Sequence, residues 1–267
     1  MFANLTESLG GAGDVWSYLI LGPEKAMLID TGYGVGDLKG LADLLAGGKP
    51  LVVVNTHPHV DHASGNCQFD RVYCHTYAVP QLAKMRTPRL WDALLDEHGQ
   101  PEWTAFDVND IVPFHEYEIV GCPDGQVFNL GGNYDVELIL TAGHSAGHCM
   151  FLDRPSRVLY AGDDVISMRI SIGGPLPDDP YGDWATVHAY HAQMTKLAAR
   201  LDEFDSVFPG HFVFDLENYV IEDLVEAAGA ILADPQDYDW SEAGARGTLY
   251  HKFVKGLGTL AYTDKAV

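Results

Sequence analysis

Asn55-Thr56-His57-Pro58-His59-Val60-Asp61-His62 packs four candidate metal ligands into six residues. It follows Leu51-Val52-Val53-Val54, a β-branched run that reads as a buried strand, so the ligands fall in the loop at that strand's carboxyl end. His57 and His59 stand two apart, and extended backbone points such a pair the same way, towards one ion. Pro58 between them has no backbone N–H and a fixed φ, which keeps the pair out of a ladder or helix. Asp61 and His62 follow a short turn and can face a second ion. Imidazole and carboxylate suit zinc, iron and other first-row cations, and the lack of a cysteine in the loop argues against a closed structural zinc site.

Three later stretches repeat the same grammar of apolar run, glycine and ligand type. Tyr134 to Leu140 leads into Thr141-Ala142-Gly143-His144-Ser145-Ala146-Gly147-His148. Val158-Leu159-Tyr160-Ala161 leads into Gly162-Asp163-Asp164, and Ser206-Val207-Phe208 into Pro209-Gly210-His211. Glycine at such a place lets the backbone approach a crowded centre. Three independent strand ends therefore deliver further ligands.

These motifs, in this order, resemble the metallo-β-lactamase fold superfamily, and within it the dinuclear metallohydrolase branch that includes glyoxalase II. Leu28-Ile29-Asp30-Thr31-Gly32 is similar to that family's first strand turn, and Asn129-Leu130-Gly131-Gly132 to the hairpin before its third ligand. The resemblance covers about residues 14 to 215. It implies one metal held by His57, His59 and His144, another held by Asp61, His62 and His211, and Asp163 bridging the two. It also implies a four-layer αββα sandwich of two mixed β-sheets flanked by helices, where pattern alone supports only a mixed α/β fold. Asp30 is either a turn former or a partner of a ligand histidine, and the resemblance favours the second. His148 is not needed as a ligand and is expected to support the ligands from behind.

Composition narrows the class. The chain has 267 residues, enough for a substantial core, with 47% hydrophobic and 20% charged residues, as in ordinary globular enzymes. Thirty-eight acidic against 16 basic residues give a formal charge of -22, which repels nucleic-acid phosphate and weighs against a nuclease. No apolar run has the ~18 to 20 residues of a membrane span, and the first residues lack a basic region followed by an apolar one, so a cytoplasmic protein with no membrane partner is expected. Cys67, Cys74, Cys122 and Cys149 show no C-x-x-C pair and read as free, buried thiols.

The chain is expected to form a single domain over 1–267, opened by strands at 2–9 and 15–21 around the turn at 10–13, with a helix over 36–46. The stretch of about 77–118 carries two helical patterns and Trp91, Trp103, Phe106, Phe114 and Tyr117. It reads as a substrate-covering insertion, or its aromatics fill a small core of their own against the sheet. Residues 164–183 leave from Asp163 and should pass over the active site, where Arg169 could meet a substrate carboxylate or make a surface ion pair. Helices are expected over 183–201, capped by Asp183, and over 215–233. His188 and His191 share a helix face without being needed as ligands. Residues 234–267, with a strand-like run at 248–254, read as edge structure or a contact between copies, leaving a homo-oligomer open.

Two divalent ions lower the pKa of a shared water from ~15.7 towards ~7. The expected activity is therefore metal-dependent hydrolysis of a small-molecule ester, thioester or lactone by a metal-bridging hydroxide. Asp61 would ligate and orient that hydroxide. Zinc is the favoured metal, with iron or manganese open. The flavodiiron branch usually has Glu where His59 stands, and true zinc β-lactamases generally lack an Asp matching Asp163, so both are disfavoured. No Lys or Arg cluster like that of glutathione thioester hydrolases is evident near the end of the chain. The alternative is a mononuclear non-haem iron oxidoreductase resembling the persulfide dioxygenases, which keep much of the same ligand set.

Overall fold

A computed structural model describes residues 2–4, 15–102, 106–245 and 247–267. The turn expected at 10–13, most of the strand expected at 2–9, and Trp103 lie outside them. Two six-stranded mixed sheets carry the fold. The first contains, in chain order, β1 (Phe2–Asn4), β2 (Val15–Leu21), β3 (Ala26–Ile29), β4 (Leu51–Val54), β5 (Arg71–His75) and β6 (Glu118–Cys122). It is antiparallel up to β3 and parallel from β3 to β6. The second contains β7 (Val127–Asn129), β8 (Asp135–Leu140), β9 (Cys149–Asp153), β10 (Val158–Gly162), β12 (Ser206–Pro209) and β13 (Leu216–Glu217). Within it only β10 and β12 run parallel.

Period-two alternation explains the layering. Met27 and Ile29 of β3 share one core with Phe151 of β9 and Tyr160 of β10, so that core lies between the sheets. Leu28, one residue out of phase, joins Val53 and Val72 in a second core on the outer face of the first sheet. Met150 and Leu152 likewise turn outwards, against α4 (Val187–Ala198) and α5 (Val220–Ala233). The central strands are thus buried on both faces, which is why they read as continuous apolar runs. The four-layer αββα expectation holds.

Helix α1 (Leu38–Ala46) makes the crossover from β3 to β4. The Asp37 carboxylate caps it by accepting from Gly40 N–H at 2.8 Å, and Gly47 ends it in the left-handed region. The remaining helices are α2 (Val60–Ala63) and α3 (Val79–Met85).

Several boundaries differ from the expectations. α4 begins after a 3₁₀ turn at Gly182–Trp184, because the Thr186 hydroxyl rather than Asp183 caps it, accepting from Ala189 N–H at 3.2 Å. α5 begins at Val220 because Leu216–Glu217 pairs with β12 and Asn218 donates to the Leu201 and Phe204 carbonyls. Among the described residues of 77–118 there is one α-helix, and Leu90–Leu94 is a 3₁₀ turn. Trp91 and Tyr117 are buried on the outer face of the first sheet, with Phe106 and Phe114 packed beside them. The Trp91 indole donates to the Tyr33 carbonyl at 3.0 Å. The burial of Trp91 and Tyr117 against the sheet agrees with the small-core reading for these two.

The largest difference lies at 234–267. β11 (Met168–Ser171), β14 (Trp240–Gly244), β15 (Gly247–Val254) and β16 (Gly258–Tyr262) form a third sheet in the order β11-β16-β15-β14. The run expected to be edge structure is a paired inner strand of that sheet. Among the described residues no helix is long and apolar enough to cross a membrane.

Candidate metal centre

The parallel strands β3 and β4 end side by side and deliver Asp30 and the ligand loop. Asp30 sits in the left-handed region, with φ 61°, and its carboxylate accepts from Thr56 N–H at 2.8 Å and from the Thr56 hydroxyl at 2.7 Å. His59 is still extended, and its carbonyl accepts from the N–H groups of His62 and Ala63 as α2 begins. His57 and His59 therefore leave an extended segment, while Asp61 and His62 leave a helical turn. That change of backbone splits one short motif between two centres.

In the first centre, His57 Nε2 lies 3.0 Å from His59 Nδ1, which lies 2.9 Å from His144 Nε2. The Thr56 hydroxyl gives its proton to Asp30, so its oxygen accepts from His57 Nδ1 at 2.9 Å and leaves a lone pair on His57 Nε2. His144 Nδ1 donates to the Ser171 carbonyl at 2.7 Å, with the same consequence for its Nε2. In the second centre, His62 Nε2 and His211 Nε2 are 3.1 Å apart, and Asp61 Oδ2 is 3.2 Å from His211 Nε2. His62 Nδ1 donates to Asp30 at 2.9 Å, so Asp30 orients a ligand histidine and, through Thr56, steadies a second.

Asp163 belongs to both centres. Its Oδ2 lies 3.7 Å from His57 Nε2, 3.6 Å from His144 Nε2 and 3.4 Å from His211 Nε2, and its Oδ1 lies 3.2 Å from His62 Nε2. The ligand atoms of His57, His59, His144 and Asp163 all fall within 4.8 Å of one another, as do those of Asp61, His62, His211 and Asp163. His148 stands behind them: its Nε2 accepts from Asp163 N–H at 3.0 Å, and its Nδ1 lies 2.7 Å from Asp164 Oδ2. It fixes the turn that aims Asp163 and belongs to neither candidate ligand group. Gly210 is needed at the same spot, because a Cβ there would sit 2.5 Å from Asp163 Oδ1 and 2.8 Å from the His62 ring.

The donor set fits divalent cations. His57 and His144 both aim lone pairs at His59 Nδ1, which can carry at most one proton, so protein atoms alone cannot satisfy all three nitrogens. Asp163 Oδ1 is buried and has no well-directed hydrogen-bond partner. Nitrogens about 3 Å apart around a common point match cation bonds of ~2.0–2.1 Å.

The charges differ between the two centres. Burial, followed by neighbouring histidines, pushes the His59 imidazole down to about 3, and burial also lowers His57 and His144. Burial opposes charge on His62 and His211 as well, but Asp163 and Asp61 outweigh it. His62 is pushed well up, and His211 to about 10. Burial likewise works against charge on Asp61, yet His62 and His211 hold its carboxyl down at about 2.

Two lobes of one groove open above the centres. A lobe of about 470 Å³ is lined by Pro58, His59, Tyr77, Gln81 and His144, among others. A second, of about 700 Å³, is lined by Asp61, Asp163, His211, Phe212, Trp240 and Phe253, among others. Arg169, His144 and Ser171 border both, so 164–183 does pass over the site as expected. The Arg169 guanidinium is 3.6 Å from Glu242. Of the 77–118 stretch, only Tyr77 and Gln81 reach the groove among the described residues. His188 is exposed on α4 and joins neither centre.

Sequence reading missed several of these residues. Thr56 carries no signal beyond its place next to the ligands, and the Ser171 contact is a carbonyl that any residue could supply. Trp240, Glu242, His251 and Phe253 did carry one, since Trp240-x-Glu242 and Leu249-x-His251-x-Phe253 keep the period of strands with one face turned to a cavity.

The sequence profile of the Metallo-beta-lactamase superfamily matches residues 10–211. The chain belongs to that superfamily. Among curated proteins, it is 30% identical over 222 residues to "Acyl-coenzyme A thioesterase MBLAC2" of Homo sapiens, covering 76% of this chain and 74% of that protein. The Gallus gallus protein of the same name is 28% identical over 222 residues, with 76% and 73% covered. Solved folds agree: a beta-lactamase domain protein from Burkholderia ambifaria superposes with a TM-score of 0.61 at 16% identity, covering 90% of this chain and 78% of that one. A metallo-beta-lactamase from Pontibacter korlensis gives 0.55 at 17% identity, covering 80% and 87%. The chain falls in the hydrolase branch, as its motif order implies.

Proposed function

We propose that this enzyme hydrolyses acyl thioesters of a carrier thiol at a dinuclear metal centre, with His57, His59 and His144 holding one divalent cation, Asp61, His62 and His211 the other, and Asp163 both. The observation that carries the reading is the sharing of Asp163 between two complete ligand groups. The thioester class is supported by the curated relatives named as acyl-coenzyme A thioesterases. Donors that are all imidazole or carboxylate favour zinc, with manganese or iron able to occupy the same set.

Bound cations supply two things here, a water acidified towards neutral pH and polarisation of the carbonyl oxygen. The chain's own groups do the rest. Asp61 lines the larger lobe beside His211, where its carboxylate accepts a hydrogen bond from the attacking water and aims it. A carboxyl held at about 2 is a weak base, so its contribution is orientation. The water oxygen attacks the carbonyl carbon, the C–S bond breaks, and the carboxylic acid and free thiol leave with the two protons shared between products and solvent. His148 and Asp30 hold Asp163, His57 and His62 in place throughout. Four free, buried cysteines are consistent with a reducing, cytoplasmic setting.

Turnover of acetyl- and palmitoyl-coenzyme A, followed by thiol release on zinc-loaded protein, tests this. Hydrolysis that His59→Ala abolishes is the expected result. Inert thioesters, together with oxygen consumption on a persulfide by protein carrying one iron, would replace it with the oxidoreductase reading.

A further inference from the structure

The third sheet lies largely beyond residues 10–211, the span of the family match, and it forms one wall of the groove. Its pleat decides which side chains face inwards. Trp240 and Glu242 of β14 and His251 and Phe253 of β15 line the larger lobe, all at period two. Val254 and the β16 residues Leu260 and Tyr262 point the other way, into the core beneath α5. The inward set is not loose surface. Trp240 stands opposite His251 in the ladder, and their rings stack at 3.6 Å and 5°. His251 is fully buried and donates to or accepts from Thr259 at 3.2 Å.

The wall is nevertheless apolar and open. Met168 and Phe253 are each 61% exposed and Trp240 41%, beside Ile166 and Phe212 on the same lobe. In a chain of net charge -22, large apolar side chains exposed together on one lobe are not a solubility feature. Arg169 is the one Lys or Arg among the described residues lining the lobe, and it sits at the border with its guanidinium near Glu242. Asp61 and Asp163 form the floor. An anionic group therefore finds little to hold it there, whereas a hydrocarbon chain attached to a carbonyl over the metal centre finds walls on both sides. The volume, about 700 Å³, is that of a small-molecule site.

We propose that this lobe, walled by Met168, Phe212, Trp240 and Phe253, binds the acyl chain of the thioester. The assignment rests on the thioesterase reading for its chemistry, but binding of a chain can be measured apart from turnover. The lobe selects for length by burying methylenes, up to about fourfold in KM for each one fully covered.

The test uses zinc-loaded enzyme and coenzyme A thioesters of increasing chain length. KM falls as the chain lengthens and levels off once the lobe is full. In a Met168→Ser, Phe253→Ser variant, the ratio of kcat/KM for palmitoyl over acetyl thioester drops at least tenfold. Independently of turnover, a brominated fatty acid added to the protein quenches tryptophan emission, and the quenching is lost in Trp240→Phe. A KM that ignores chain length, together with emission that brominated fatty acid leaves untouched, overturns the assignment. So does sedimentation showing that the double substitution instead splits a dimer, because the patch is then a contact between copies. If no thioester turns over but quenching at Trp240 persists, the lobe stands and the reaction assigned to it falls.

Discussion

His57, His59 and His144 meet over one part of the groove, and Asp61, His62 and His211 over another, yet the two groups hold protons in opposite ways. The first is three neutral imidazoles that burial keeps unprotonated. The second adds its own carboxylate to the shared Asp163, and those two charges hold protons on His62 and His211. Similar side chains thus make one centre ready for a cation and another that must first give up protons.

The comparison is broken most severely at the residue both groups share. Asp163→Ala should cost both cations and lower turnover by at least ~1,000-fold, because each centre loses a ligand charge. Metal analysis that still finds two ions per chain would show that Asp163 is no bridge. His59→Ala and His211→Ala should each retain one cation, and loss of both cations from either variant would mean that the centres are not separable.

Proton release sharpens it further. His62 and His211 are raised above their ordinary value by Asp163 and Asp61, so the second centre must give up protons to ligate. Affinity of the second centre therefore rises with pH through neutrality and levels off only near His211's value of about 10. The first centre releases none at pH 7. Calorimetry in buffers of different ionisation enthalpy should count more protons released by the second cation than by the first, and equal release would contradict the difference.

Smaller effects follow from the groups behind the ligands. Asp30→Asn weakens the hold on Thr56 and His62, and should lower cation affinity at both centres by ~10–100-fold while leaving the ligands themselves intact. His188→Ala, exposed on α4, should change stability by less than ~0.5 kcal/mol and leave metal content alone. Chemical denaturation with metal analysis of the same sample checks both.

The candidate ligands that the fold gathers were legible because each is anchored to a local signal: an apolar strand, then a glycine or turn, then a donor. Val53 and Leu28 face one core and Val54 and Ile29 the other, so the strands that aim the loops are buried on both sides and announce themselves. Asp30 was legible in position, and its bonds to Thr56 and His62 gave it the role the resemblance favoured. Of the third sheet only the strand at 248–254 was legible, not its partners. β11 pairs with β16 across about 90 positions, Met168 against Gly258, and no local pattern encodes a partner so distant. The aromatics around Trp91 left two readings open for the converse reason. Exposed and buried aromatics look alike in sequence, and only the outer face of the first sheet decides that Trp91 and Tyr117 are core.

Metal stoichiometry tests the central claim most directly. Protein purified without chelator or a metal-binding tag, then analysed by plasma mass spectrometry, should carry two divalent ions per chain, falling to one in His59→Ala. A single iron per chain, unchanged in that variant, would contradict the dinuclear centre and the hydrolysis assigned to it.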